Sequence, residues 1–599
     1  MNIAQDASSS EKLPEWDLGD LYPGAESPEF TNDKKRCLEE AQTFENRYKG
    51  KLPEMLKGGG DDLANAIREY ENIGEIMGRL MSFAGLAYAS DTTDPEIAKH
   101  YGDTQEAVTR ASSHLLFFAL ELNSLDDSDI EEAMLGSAAL AHYKPWIEDT
   151  RLEKPYQLED RIEQLFHDKS VTSASAWNRL FDETMAALRF SIDGEELSSE
   201  QAFNLLQEGD REKRERAALE IGKVLSDNDR LFTLITNTLC KDKQISDVWR
   251  GFEDVAASRH LANRVEPEVV DALASAVQEA YPRLSHRYYT MKARWLGLEK
   301  MQHWDRNAPL PQSAERRYQW SEAQKTVLDA YGAFSPEMAD IATRFFDNSW
   351  IDAPVRKGKR SGAFAHPTVP SVHPYVLLNY QEKPRDVMTL AHELGHGVHQ
   401  VLAADQGPLM SQTPLTLAET ASVFGEMLTF RAMLDQCTDK VQRQAMLAQK
   451  VEDMINTVVR QIAFYQFERE VHQARIDGEL TWDQLCSLWI GVQKESLGPI
   501  FEFDESYRSY WSYIPHFIHS PFYVYAYAFG DCLVNSLYAV YQQAEDGFQA
   551  RYFDMLRAGG TRHHKELLAP FGLDASDPAF WDKGLSMIES LIDELETLE

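Results

Sequence analysis

The stretch PRDVMTLAHELGHGVHQVLAADQGP, residues 384–408, has the apolar spacing of a single helix. Val387, Leu390, Ala391, Leu394, Val401 and Leu402 recur three and four apart, Pro384 stands at the start, and Gly407-Pro408 lies past the end. Inside it sits His392-Glu393-Leu394-Gly395-His396. Helical side chains four residues apart share a face one turn apart, so both imidazoles can reach one cation at the roughly 2.0–2.1 Å that zinc–nitrogen bonds require. Glu393, one step round from His392, can hold a water beside that cation without ligating it, where a general base is needed. Unpaired histidine or glutamate in so apolar a helix would be costly to bury, which favours a metal site over a chance match.

Two histidines leave a tetrahedral zinc site short of one protein ligand and one water. The extended pattern HExxHxxGxxH is not met, because His399 stands at its glycine position and Leu402 at its last histidine. His399 therefore reads as a neighbour that packs or hydrogen-bonds. The gluzincin alternative draws a glutamate from a following helix. Residues 417–426, LAETASVFGE, offer Glu419 and Glu426, seven apart and on one helical face. Each has a structural alternative: Thr416 and Glu419 have capping-box spacing, and Glu426 could face solvent. Spacing alone leaves the choice open.

Outward from this segment, helical periodicity dominates, over 33–50, 62–90, 96–122, 158–187, 199–220, 228–246, 266–295, 321–347, 416–435, 440–475, 521–545 and 577–598. Ser198 and Gln201 have the spacing of a second capping box. Strand signals are few: Phe190–Ile192, ending in the Asp193-Gly194 turn signal, and Val376–Tyr380. The expected fold class is mostly α. The short turn at 188–198 divides an N-terminal helical domain, 1–190, from a catalytic domain, 191–599. Residues 353–374, rich in Gly, Pro and basic residues, read as a mobile surface loop, with a lid or substrate contact as the lesser reading.

Composition narrows the partners. The chain has 599 residues, 43% hydrophobic, enough to bury a sizeable core. Its formal net charge of −37 opposes binding to nucleic acid or anionic lipid. No apolar run is long enough to span a bilayer, and the start has no signal-peptide pattern. Five scattered cysteines with no CxxC pair fit a reducing, cytoplasmic compartment.

Four segments together resemble the oligoendopeptidase F group of thimet-oligopeptidase-like zinc metallopeptidases: KRSGAF (359–364), VLLNY (376–380), TLAHELGHGVH (389–399) and the ExxSxxxE run at 419–426. HFIHSPFYVYAY (516–527) is similar to that group's substrate-binding His/Tyr segment, and WDLGDLYP (16–23) to its opening segment. Phe364 stands where many members carry Tyr, and 365–373 differs from their glycine-richer linker. The resemblance implies one zinc ion per chain on His392, His396 and Glu419, with Glu426 orienting a ligand histidine. It also implies a helical ellipsoid with a deep substrate channel and a small β element beside the zinc.

The function so implied is internal cleavage of short unstructured peptides. Glu393 would be the base, Tyr527 the leading oxyanion donor, and His516 and Tyr523 substrate contacts, with His519 a stand-in for His516. Ser520-Pro521 reads as a helix start that sets Tyr523 and Tyr527 one turn apart, with Tyr525 pointing elsewhere. Val376–Tyr380 reads equally as a buried structural strand or as an edge strand that would pair an extended peptide through Leu378 and Asn379. The rival is a carboxypeptidase or dipeptidyl carboxypeptidase, in which Arg356, Lys357, Lys359 or Arg360 would capture a terminal carboxylate. A catalytically silent peptide-binding protein is a further alternative. Partners are oligopeptides, with the chain a monomer or small homo-oligomer.

Overall fold

The computed structural model describes residues 11–310, 316–543 and 547–598. The fold is mostly α, with three small sheets among the described residues. The chain forms two compact units, each woven from three stretches: Met1–Lys154 with Glu315–Gln436 and Ala544–Phe571, and Pro155–Ala314 with Cys437–Gln543 and Gly572–Glu599.

In the first unit, the helix Pro384–Ala403 packs against Trp320–Phe334, Pro336–Asp347, Ser422–Gln436 and Phe548–Arg557. Its start is fixed by Asp386, whose carboxylate accepts from the N–H groups of Gln381 and Lys383 at 2.7 and 3.0 Å. Close packing needs two glycines. A Cβ on Gly395 would collide with the backbone of Ala421 and Ser422, and one on Gly397 would press on the Phe345 ring. Beside this helix, Ile351–Asp352, Tyr375–Leu377 and Phe364–His366 form a three-stranded sheet with Tyr375–Leu377 in the centre, parallel to the first and antiparallel to the last. The opening segment seals one end: Tyr375 donates its hydroxyl proton to the Asp17 carbonyl at 2.7 Å, and Trp16 packs edge-on against Tyr375.

The second unit is built on long helices, among them Asp229–Arg250, Pro267–Ala280, Val459–Asp477, Trp482–Leu497, Tyr525–Gln542 and Pro578–Glu596. Phe190–Ile192 pairs antiparallel with Glu195–Leu197 around Asp193-Gly194, both at positive φ, as the turn signal predicts. Ser198 and Gln201 form the expected capping box.

Several expectations need correction. Prolines and turns split the longer periodic segments: Pro336 starts a new helix inside 321–347, and a π-helical turn at Pro282–His286 interrupts 266–295. Thr416 and Glu419 form no capping box. Thr416 is buried inside the four-residue helix Leu415–Ala418, and Glu419 ends it. Ser520-Pro521 starts no helix: Ser520 closes His516–His519, and the next helix begins at Tyr525. The strand expected at Val376–Tyr380 spans Tyr375–Leu377 and is not an edge, because both its sides are paired.

Asp305 is fully buried in the second unit and held by a fork. Arg211 donates to it twice at 2.9 Å, Arg214 at 3.1 Å, and the Gln302 N–H at 3.0 Å. Burial pushes this carboxyl up, but Arg211, the Gln302 N–H and Arg214 outweigh it and hold it below the usual carboxylate range. A depressed carboxyl stabilises the fold above its unfolded value, and that gain disappears as pH falls through the folded one. Asp305→Asn should therefore cost about 2–3 kcal/mol at neutral pH, discounted for the half-exposed Arg211. The difference from wild type should close below about pH 4, as read by urea denaturation across pH.

Candidate active site

The site grows from the bend between two helices. Leu415–Ala418 stops at Glu419, and the chain turns through Thr420 and Ala421 into Ser422–Gln436. The Gly395 approach sets this turn directly on the His392–His396 face. The Glu419 Oε2 atom lies 3.4 Å from His392 Nε2 and 3.5 Å from His396 Nε2. The two rings stand nearly perpendicular with centroids 5.0 Å apart, so both nitrogens point into one space. Ser422 donates to Glu419 Oε2 at 2.5 Å, which fixes the carboxylate. One turn on, Glu426 Oε2 lies 3.0 Å from His392 Nδ1, so Glu426 faces the site and not solvent.

These groups fit a divalent ion. Two imidazole nitrogens and one carboxylate oxygen converge within 4.8 Å of one another, the donor set of a zinc site with room for water. A hydrogen bond from His392 Nδ1–H to Glu426 leaves Nε2 as the nitrogen a metal would take in exchange for its proton. Burial pulls the His392 ring down, but the bond to Glu426 and the charges of Glu419, Glu426 and Glu393 lift it to about 9. Burial lowers His396 to about 4, against the attraction of Glu419. Glu419 is drawn below the usual range because His396, His392 and Ser422 together outweigh its burial.

Glu393 is only 7% exposed. Burial, reinforced by Glu419 and opposed by His392 and the Ala365 N–H, raises its carboxyl to about 7. That N–H belongs to the edge strand Phe364–His366, a partner that sequence reasoning missed because nothing in the spacing links 365 to 393. His399 is a buried neighbour, with its ring 3.2 Å from the Thr413 hydroxyl. A cavity of about 580 Å³ opens beside His396 and His399, walled by Glu71, Glu75, Arg344 and Val369.

Other candidates lie elsewhere or are already engaged. Leu378 is buried, its N–H donating to Asp352 and its carbonyl accepting from Lys359. The Asn379 amide donates to the carbonyls of Arg360 and Gly362 and so holds that loop. Lys359 is fully buried on Asp352, and Arg356 grips the same carboxylate with two bonds. The basic stretch is thus anchored at two of its four cations, Arg356 and Lys359, four and seven residues after Asp352, and that spacing was the available clue. His516, Tyr523 and Tyr527 form their own cluster in the second unit: His516 Nε2 lies 3.2 Å from the Tyr527 hydroxyl, and the tyrosine rings are 5.3 Å apart. Tyr525 points into the core to Asn263, and His519 pairs with Asp182.

Comparison with known proteins gives this geometry a family. The model of peptidase family M3 matches residues 204–587, and that of oligopeptidase F matches residues 121–190. Oligopeptidase PepF of Bacillus subtilis is 28% identical, covering 100% of this chain and 89% of its own. Group B oligopeptidase PepB of Streptococcus agalactiae is 25% identical over 100% of this chain and 99% of its own. Among solved structures, a candidate peptidase from Chlamydophila abortus superposes with a TM-score of 0.86 at 25% identity, over 98% of both chains. The oligoendopeptidase-F of Enterococcus faecium shares the fold with a TM-score of 0.71 at 23% identity, over 95% of this chain and 98% of its own. With a family model spanning more than half its length and a helical fold to match, this chain belongs to peptidase family M3, in the oligoendopeptidase F group.

Proposed function

We propose that the protein is a zinc-dependent oligoendopeptidase that cuts internal bonds of short unstructured peptides, with one zinc ion per chain on His392, His396 and Glu419. The observation that carries this reading is the convergence of those three side chains with Glu426 behind His392 and a buried, proton-ready Glu393 beside them. Bound zinc supplies a Lewis acid that polarises a carbonyl and eases ionisation of water. Glu393, with its carboxyl near 7, takes the proton of the attacking water and passes it to the departing amine. Glu426 and Ser422 keep His392 and Glu419 in place through that exchange. Tyr527, partly exposed and bonded to His516, is the proposed donor to the developing oxyanion, with His516 and Tyr523 as substrate contacts.

The peptide-pairing role first expected of 376–380 passes in this reading to Phe364–His366, the edge strand whose Ala365 already faces Glu393. Leu378 and Asn379 then act behind it, as supports of that strand and its loop. The carboxypeptidase reading loses ground because Arg356 and Lys359 are spent on Asp352. We also keep the division of the chain at 190/191, supported by one family model ending at 190 and the other beginning at 204. A cytoplasmic location fits five cysteines outside any disulfide. No helix among the described residues is long and apolar enough to cross a membrane.

Glu393→Gln should retain zinc while kcat falls by about a hundredfold to ten-thousandfold; substantial remaining turnover removes it from the base role. Glu419→Ala should empty the metal site, whereas Glu426→Ala should weaken zinc affinity only about ten- to a hundredfold, as measured by metal analysis after dialysis. The reverse order would exchange their roles. Tyr527→Phe should lower kcat by about a hundredfold with little change in KM. A peptide blocked at both ends should still be cut, and its survival would favour the exopeptidase reading.

A further inference from the structure

Buried cations in this protein meet carboxylates: Lys359 meets Asp352, Lys292 meets Glu452, and Arg214 meets Asp305. The reason is general, since a cation withdrawn from water without a counter-charge is strongly destabilising. Arg306 and Arg460, both in the second unit, depart from it. The Nε of each is shut off from solvent without a hydrogen-bond partner, and among the described residues no carboxylate pairs with either guanidinium.

Phenols surround them instead. Arg460 donates to the Tyr513 hydroxyl at 3.4 Å and lies over the Phe464 ring at 4.9 Å. Arg306 follows directly on the turn His303–Asp305, whose His303 ring stacks on Tyr507 at 4.5 Å and meets Tyr510 at 5.1 Å. Tyr507, Tyr510 and Tyr513 continue as a ladder with centroids 4.9 and 5.8 Å apart. Both arginines therefore stand on one aromatic wall. They are close enough that Arg306, after burial, is the main influence lowering Arg460. Both residues are half-buried.

We propose that Arg306 and Arg460, with the Tyr513 hydroxyl, form an anion site that takes a carboxylate of a bound peptide, either its C-terminus or an acidic side chain. The inference rests on the peptidase reading above. Guanidinium forks match a carboxylate with paired hydrogen bonds, and two such forks that meet phenol hydroxyls and, among the described residues, no carboxylate leave that pairing open. In a chain of net charge −37, this unpaired positive spot is where a peptide's negative group finds attraction. It also adjoins the proposed substrate-contact segment, because the Phe464 ring under Arg460 packs at 5.4 Å on Phe517, the residue after His516. The site adds affinity and is not required for cleavage, which separates it from an exopeptidase anchor.

The test uses the full metal-loaded enzyme and one peptide prepared as a free acid, as a C-terminal amide, and as an amide carrying one added aspartate. Wild type should show a KM about tenfold lower for one carboxylate-bearing form than for the plain amide, and the form preferred identifies which carboxylate binds. Arg460→Gln should reduce that ratio to about one while kcat/KM for the plain amide stays within about twofold, and Arg460→Lys should restore part of it. Equal KM for all three peptides in wild type, or a preference that survives Arg460→Gln, would overturn the proposal. Equilibrium binding of the same peptides to metal-free protein, followed by calorimetry, reports on the site even if no peptide is cut. A carboxylate preference there with no turnover would sink the peptidase reading alone, and no preference there would sink this one.

Discussion

Everything in the candidate active site depends on how closely two pieces of backbone pass. The helix bearing His392 and His396 has glycine at 395, and the turn at 419–422 presses into the space that a side chain would fill. That contact delivers Glu419 to two imidazoles with only 3.4 and 3.5 Å between the prospective ligand atoms. A Cβ at 395 would collide with the Ala421 and Ser422 backbone and push this turn away from the histidines. The meeting of these three side chains is thus a consequence of packing at Gly395.

Around this contact the protein arranges a graded set of environments for like groups. Three glutamates lie within one small region, yet their surroundings separate them. Glu419 is held ionised by two imidazoles and Ser422, Glu426 is committed to a ring nitrogen of His392, and Glu393 is buried enough to sit near 7. This is how carboxylates of one intrinsic acidity come to differ, as the proposed roles of ligand, orienting group and base require. The small sheet contributes by placing the Ala365 N–H against Glu393, while Lys359 and Asn379 pin the strands and loop that carry it.

The second unit solves a related problem with different means. Asp305, buried among Arg211 and Arg214, is satisfied internally. Arg306 and Arg460 on the tyrosine wall each keep an unpartnered Nε and, among the described residues, meet no carboxylate, whereas internal satisfaction is the usual condition for burying charge. The His516–Tyr523–Tyr527 cluster belongs to the same unit and keeps polar atoms toward solvent, whereas Tyr525, two residues away, is spent on the core.

From the amino-acid order alone, what emerged correctly was local. Helical spacing around 384–408 placed His392 and His396 on one face, the Asp193-Gly194 turn and the Ser198 capping box were legible, and four ordered motifs were enough to reach the family. Those features depend on neighbours three or four residues away, and a one-dimensional string contains such neighbours. What required the tertiary structure was each choice between partners distant in sequence. Spacing alone left Glu419 and Glu426 open as the third member of the site, and the close approach at Gly395 brings the Glu419 turn to the histidines. Residues 376–380 could be a free edge or a buried strand, and strands from 351 and 364 close both sides. Ser520-Pro521 looked like a helix start until the turn through Phe522, at positive φ, delayed it to Tyr525. In each case the local pattern permits two outcomes of similar energy, and the groups that decide between them are supplied by segments remote in the chain.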